Sequence, residues 1–377
     1  MFVGLSNTPR DYAWGSTSAI AKLLGTVPSG RPEAEYWLGT HPGSPSVVRD
    51  PASHGGAALL SDLTTLPFLL KVLAADAPLS LQVHPTTEQA REGFARENAL
   101  RIPLDAANRN YKDPFHKPEL IVALSERFTA LCGFRSVEAT RELLAALGPD
   151  AEVDSFRERL TDDTSLRPVF EWLFSGSAGV RSLVDRIVKR AREVPRPEFA
   201  LVAALSAQYP GDPGIAIALL LNYVVLTPGE ALYLPAGNIH MYLQGLGIEL
   251  MAASDNVLRG GLTPKYVDVA ELMTVVDFRS LPVPILVPDQ PAPHLRIYRP
   301  DVPDFELAVV TPVAEPVAFE PAGESILLCT DGAVTVRGSL SRTPLRRGDS
   351  AWATADEGAL EFSGEGTVFV ASRNAVA

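Results

Sequence analysis

The strongest constraint on how this chain folds is a hydrophobic rhythm that changes twice along its length. From Phe2 to about Arg135 apolar residues come in short runs broken by Pro and Gly, as in PFLLKVLAADAPLSLQVHP, the pattern of strands joined by turns. From about Val137 to Tyr209 the spacing lengthens. Val180, Leu183, Val184, Ile187, Val188 and Ala191 recur at three and four, with Arg181, Asp185, Arg186, Lys189 and Arg190 between them, which predicts helices buried along one face. Strand-like sequence then returns at VVLTPGEALYLPAGNIHMYLQGLGIELMAASDNVLRGGLTPK, where the turn signals TPGE and PAGN bracket the alternating ALYLP. This order predicts a mainly β protein with a helical insert. Residues 1–136 and 210–280 form one discontinuous β domain, 137–209 a helical domain and 281–377 a C-terminal β domain. The insert carries little conspicuous chemistry and reads as structural packing.

The C-terminal part follows a proline-rich passage from Pro282, PVPILVPDQPAPH, that reads as a linker. Beyond it, FELAVV, AVTVRG and TVFVAS alternate like the short strands of a second antiparallel barrel or sandwich. Within it RRGDSAWATADEG echoes TPGEALYLPAGNIH: a Gly-acid turn, a short strand, another turn, but no histidine. The echo fits a duplicated β unit in which only the first copy kept metal-binding residues. At 377 residues the chain exceeds the usual size of one core, and its 32 prolines suit a loop-rich, strand-rich build.

With 33 Lys and Arg against 45 Asp and Glu, the formal charge is -12, which speaks against nonspecific binding to nucleic acid or anionic membrane. An anionic substrate then needs a local basic site. Cys132 and Cys329 stand far apart without CxxC spacing, so neither a disulfide framework nor a thiolate metal site is indicated. The N-terminal MFVGLSNTPRDYAWG lacks a basic segment followed by a long apolar run, and the apolar stretch from Ile215 to Leu226 is too short to span a bilayer. The expectation is a soluble cytoplasmic monomer with no nucleic-acid or membrane partner.

Three strings contain histidines that core packing does not explain. In LSLQVHP, a strand from Leu79 to His84 would place Ser80, Gln82 and His84 on one face and Leu79, Leu81 and Val83 on the other. In DPFHKPEL, Lys117 and Glu119 would share a face beside Pro118; taken alone this is an ordinary surface ion pair. In PAGNIHMY, His240 and Tyr242 lie two apart after a tight turn, and a lone His there is more often a hydrogen-bonded structural residue. Together Gln82, His84, Glu119 and His240 offer two imidazoles, a carboxylate and an amide oxygen, a set suited to a divalent transition ion, zinc by default and iron by the same ligand types. A fourth string, SDNVLRGGLTPK, sets Arg259 before a Gly pair and Lys265 six residues on, a fork and a point charge for a phosphate.

The strings KVLAADAPLSLQVHP, YKDPFHKPE and PGEALYLPAGNIHMYLQGLGIELMAASDNVLRGGLTPK, with Trp14-Gly15, resemble type I mannose-6-phosphate isomerases, metal-dependent cupin enzymes. The likeness runs from the N-terminus to about Lys265, is weak in the insert and almost absent beyond about Phe278. It implies a cupin (jelly-roll) catalytic domain and a degenerate cupin-like C-terminal domain. It also implies one zinc ion per chain on Gln82, His84, Glu119 and His240. Lys71, Ser80, Arg259 and Lys265 would then handle the sugar phosphate or its reacting end, with Lys117, Tyr242, Glu249 and Asp255 lining the pocket. One departure is visible: the family often reads HPD then Lys after the ligand strand, whereas here Pro85 is followed by Thr86, Thr87 and Glu88.

The implied reaction converts mannose 6-phosphate to fructose 6-phosphate through an enediol. Arg259 stays protonated and suits an electrostatic clamp rather than a base; Glu249 is a plausible base if its pKa is raised, and Lys117 or Tyr242 could donate to an oxygen. The proton carrier stays open at this level. Two rivals share the ligand set: an iron-dependent cupin oxygenase, and a sugar-phosphate sensor that binds without turnover.

Overall fold

In a computed structural model the chain is described over residues 1–313 and 315–374. Two antiparallel sheets, of nine and ten strands, dominate the described residues. Helices concentrate where the rhythm lengthens, at Val137–Ala145, Ala151–Arg159, Leu166–Leu173, Ala178–Ala191 and Pro197–Gln208. Several start on side-chain caps: Ser136 accepts from the Ala139 N–H, Asp150 from Glu152 and Val153, and Ser177 from Val180. Helix Ala178–Ala191 buries Val180, Leu183, Val184, Ile187 and Ala191, the stripe expected from its spacing. The apolar run from Ile215 divides into a buried helix, Gly214–Leu220, and a strand, Leu221–Leu226. Among the described residues no helix is long and apolar enough to cross a membrane.

The helical segment shares one apolar cluster with Leu81 and with Val83, Met241 and Leu243 of the nine-stranded sheet. Phe170 rivets this junction, its ring 6.1 Å from Phe134, 5.2 Å from Phe174 and 5.4 Å from Phe278. Truncating such a ring costs about 3–5 kcal/mol. A second cluster joins the two sheets, with Leu70, Val72, Leu120, Val122 and Leu250 against Leu307, Val309, Ile326, Leu328 and Phe369. Alternation along the same strands turns Lys71, Leu73, Glu119, Ile121 and Glu249 to the opposite face. Charges occupy one end of that face, and Leu73, Ile121 and Tyr242 pack together at the other.

Two segments differ from the sequence expectation. The first strand, Phe2–Ser6, pairs with Ser350–Ala353 on one side and Val47–Val48 on the other, so this N-terminal pair joins the ten-stranded sheet although it falls within residues 1–136. The passage read as a linker is in part a sheet edge: Leu286 donates to the Ala231 carbonyl, and Tyr233 donates to that of Pro284. Proline lacks an N–H but keeps its carbonyl, so a proline-rich segment can still accept along an edge.

The echo between the two turn motifs extends into the strand pairings around them. Glu230 N–H donates to Thr227 and Asp349 N–H to Arg346, with Gly229 and Gly348 both at φ +86°. Across the sheets, Glu249 sits opposite Lys71 and Ile121, as Val370 sits opposite Ala308 and Leu327. Met251 faces Glu119 as Ser372 faces Ser325, and Trp37 faces Lys71 as Ile297 faces Ala308. Lys71, Glu119 and Glu249 thus have Ala308, Ser325 and Val370 as counterparts.

Candidate active site

One long strand, His240–Ala252, contributes both a histidine and a carboxylate to the charged end. Glu249 follows His240 by nine positions, an odd offset that would put them on opposite faces of a regular strand. A bulge between Tyr242 and Gln244 shifts the register by one and brings them to the same side. Gly245 makes the distortion possible, with φ +136° and a backbone so close to Phe128 that a Cβ would lie 2.7 Å from its ring. The strand expected over Leu79 to His84 is shorter, only Gln82–Val83; Leu81 and Val83 are buried in one cluster and Gln82 sits opposite His240 and Arg259 in register, but Leu79 departs from the alternation and packs into another cluster with Tyr242.

His84, Glu119 and His240 are buried, and one ligand atom from each lies within 4.8 Å of the others. His84 Nε2 is 3.2 Å from Glu119 Oε1, and His240 Nε2 is 3.4 Å from Glu119 Oε2. Neither approach has hydrogen-bond geometry, so His84 Nε2, His240 Nε2 and Glu119 Oε2 converge without partners. Each buried polar atom left this way costs about 1–3 kcal/mol. The far side of each ring is fixed, since Nδ1 of His84 donates to the Asn256 carbonyl at 2.7 Å and Nδ1 of His240 to that of Asn238 at 2.8 Å. A carbonyl only accepts, so the proton sits on Nδ1 and the Nε2 lone pair faces the cluster. Burial, then Lys117, pulls His84 down to about 4 and keeps it neutral. Burial works to raise Glu119, but Lys117, whose Nζ lies 2.7 Å from Oε1, and His84 hold it well below the usual carboxylate range. Two imidazoles and an ionised carboxylate, each with one converging atom that lacks a hydrogen-bond partner, fit a divalent ion of the zinc class.

Beside this centre Lys71 Nζ lies 2.9 Å from Glu249 Oε2 and 3.7 Å from Glu35 Oε1, 5.1 Å above the Trp37 ring. Trp37 Nε1 donates to the other Glu35 oxygen at 2.9 Å. Burial opposes the Lys71 charge, yet Glu249 and Glu35 outweigh it and keep the ammonium above its ordinary range. Burial lifts Glu249 above its ordinary range against the pull of Lys71.

A cavity of about 590 Å³ opens onto this network, lined among others by Lys71, Lys117, Asp255 and Arg259. Arg259 is half-buried and its guanidinium makes no hydrogen bond or ion pair among the described residues; burial lowers its pKa. Burial and then Arg259 lower that of Lys265, which is exposed and lies beyond the lining. Ser80 is half-buried and also outside the lining. Tyr242 is buried, its hydroxyl without a partner, and burial followed by Glu249 raises its pKa well above the usual value. Sequence reasoning did not single out Glu35, Trp37, His41 or Lys112, which share the cavity wall. The period-two pairing of Glu35 and Trp37 in EYWL was the available signal. The departure at Thr86 has a local role: it caps helix Thr87–Ala99, accepting from Gln89 N–H while Gln89 accepts from Thr86 N–H. Asp and Thr both serve as N-caps, so the exchange leaves the helix start intact.

A family model for the catalytic domain of type I phosphomannose isomerase matches residues 2–137. The mannose-6-phosphate isomerase of Salmonella typhimurium is 38% identical over 382 residues, which cover 96% of this chain and 97% of that protein. The human protein of that name is 33% identical over 405 residues, 94% of this chain and 93% of its own. The apo structure of mannose 6-phosphate isomerase from Salmonella typhimurium superposes with a TM-score of 0.88 at 35% identity, covering 99% of each chain. A zinc-bound mannose 6-phosphate isomerase structure gives 0.87 at 35% identity, again over 99% of each chain. With identity of this order across nearly its whole length, the chain belongs to the type I mannose-6-phosphate isomerase family.

Proposed function

We propose that this chain interconverts mannose 6-phosphate and fructose 6-phosphate, using one zinc ion per chain. The observation that carries the reading is the convergence of three partnerless buried ligand atoms on Glu119, His84 and His240, beside a cavity with an unpaired Arg259. Gln82, His84, Glu119 and His240 hold the metal. Bound there, zinc supplies Lewis-acid polarisation of the two reacting oxygens, worth several kcal/mol.

Arg259 clamps the phosphate, with Lys265 adding charge from the rim; the basic site is local, as a chain of charge -12 requires. Lys71 and Ser80 serve the reacting end of the sugar, and Asp255 lines the pocket. Lys117, on the cavity wall, donates to a substrate oxygen, and Tyr242 supports the network from behind with its proton retained. Burial moves Glu249 in the direction a proton acceptor near neutral pH needs, and Lys71 connects it to the cavity.

The same reading extends to architecture and setting. Residues 1–136 with 210–280 form the cupin catalytic unit, lending their first strand to a degenerate cupin-like unit at 281–377, with 137–209 as the helical unit. We take the protein to work in the cytoplasm as a monomer, on a small sugar phosphate, without nucleic-acid or membrane partners. A coupled assay with mannose 6-phosphate tests the proposal. Turnover should vanish with a chelator and return with zinc; chelator-resistant turnover, or none in zinc-replete protein, would overturn it.

A further inference from the structure

We propose that His41 is a positioning residue that holds the Asp255 carboxylate in place on the cavity wall as an acceptor for a sugar hydroxyl. The inference rests on the isomerase reading and adds a residue to it. His41 follows strand Glu35–Leu38, and only 5% of the residue is exposed. Its Nδ1 accepts from the Gly43 N–H at 3.1 Å. A ring nitrogen that accepts carries no proton, so the hydrogen sits on Nε2, which lies 3.3 Å from Asp255 Oδ1. The ring stands edge-on to Trp37 at 5.1 Å and 88°. Gly43 permits this nesting, because a Cβ there would lie 3.2 Å from His41 Nδ1 and 3.4 Å from the Trp37 ring.

Asp255 is the open half of the pair, its side chain 54% exposed against 4% for His41. Its backbone N–H donates to Asp113 at 2.9 Å, and the next residue, Asn256, receives the Nδ1 hydrogen of His84. The main chain is therefore tied, and His41 fixes the side chain. Among the described residues no protein group bonds Asp255 Oδ2. The groups facing this carboxylate are His41, Lys71 and Lys117, with Arg259 on the same cavity wall. The close approach of His41 Nε2 comes first among the influences that keep Asp255 below its ordinary range.

The test is a double-mutant cycle on zinc-replete enzyme, comparing His41→Phe, His41→Gln, Asp255→Asn and the His41→Phe, Asp255→Asn pair. His41→Phe should lower kcat/KM about tenfold, because the carboxylate loses the group packed against it and its position loosens. Zinc content should be unchanged, and His41→Gln, which keeps a donor, should recover most of the loss. In the Asp255→Asn background the same substitution should cost less than twofold. The acid limb of the kcat/KM profile should move to higher pH in His41→Phe and stay put in His41→Gln. An equal loss in both backgrounds, or no loss in either, overturns the proposal. If His41→Phe does not fold, His41→Ala completes the same cycle. Wild-type turnover reports separately on the isomerase reading.

Discussion

Replacing Arg259 by Ala should damage catalysis while leaving the fold untouched, because this guanidinium makes no hydrogen bond or ion pair within the described protein. An interior Arg normally earns its place through a partner, and removing it then exposes that partner's loss as instability. Here burial opposes the Arg259 charge and nothing in the protein offsets it. On the proposed reading, a bound phosphate supplies the missing partner. A charge-assisted hydrogen bond contributes about 1.5–3 kcal/mol, which corresponds to a loss of roughly 10- to 150-fold in kcat/KM. The melting temperature should stay level or rise slightly. Arg259→Lys should fall between, since an ammonium keeps the charge but loses the fork. A coupled isomerase assay and a thermal melt on the same preparations supply both numbers. A kcat/KM within twofold of wild type, or a melt lowered by several degrees, would refute the reasoning.

Lys71→Met strands Glu249 as an unpaired buried carboxylate, a loss of about 3–5 kcal/mol, and combining it with Glu249→Leu should recover more than half; urea unfolding of both variants checks this. Glu357 gives the acid dependence of the C-terminal sheet. Burial works against its charge, but Ser341, the N-terminal ammonium and the Leu340 and Ser341 N–H groups hold it down to about 2 from 4.5. A depressed carboxyl stabilises above its unfolded pKa, so this contribution is present above about pH 4.5 and lost as pH falls toward 2. Glu357→Gln should flatten stability over that window in pH-dependent melts.

The sequence made the coarse order of strands and helices legible because period and turn chemistry are local. The insert's buried face at Val180, Leu183, Val184 and Ile187 emerged where the spacing placed it. His84, Glu119 and His240 were legible as polar residues that turns and alternation set apart from the core. The pairing of Phe2–Ser6 with Ser350–Ala353 joins residues almost a full chain apart, and no local signal marks it. The edge role of Pro284 was hidden because proline's missing donor dominates how such a stretch is read. Glu35 and His41 escaped notice for a related reason, since each acts through a side chain distant in sequence, Lys71 in one case and Asp255 in the other.

The matching registers of the two sheets give the molecule its own reference state. Where the first sheet buries Lys71, Glu119 and Glu249, the second carries Ala308, Ser325 and Val370 on the same strand lattice. At those three positions the lattice closes without charge, while the same strand that carries Ala308 still buries Glu306 against Arg299; the charged trio is not what the lattice needs in order to close. Transplanting the three small residues into the first sheet would yield a silent twin of the enzyme, while the reverse exchange marks out in the second sheet the ground on which a new centre could be built.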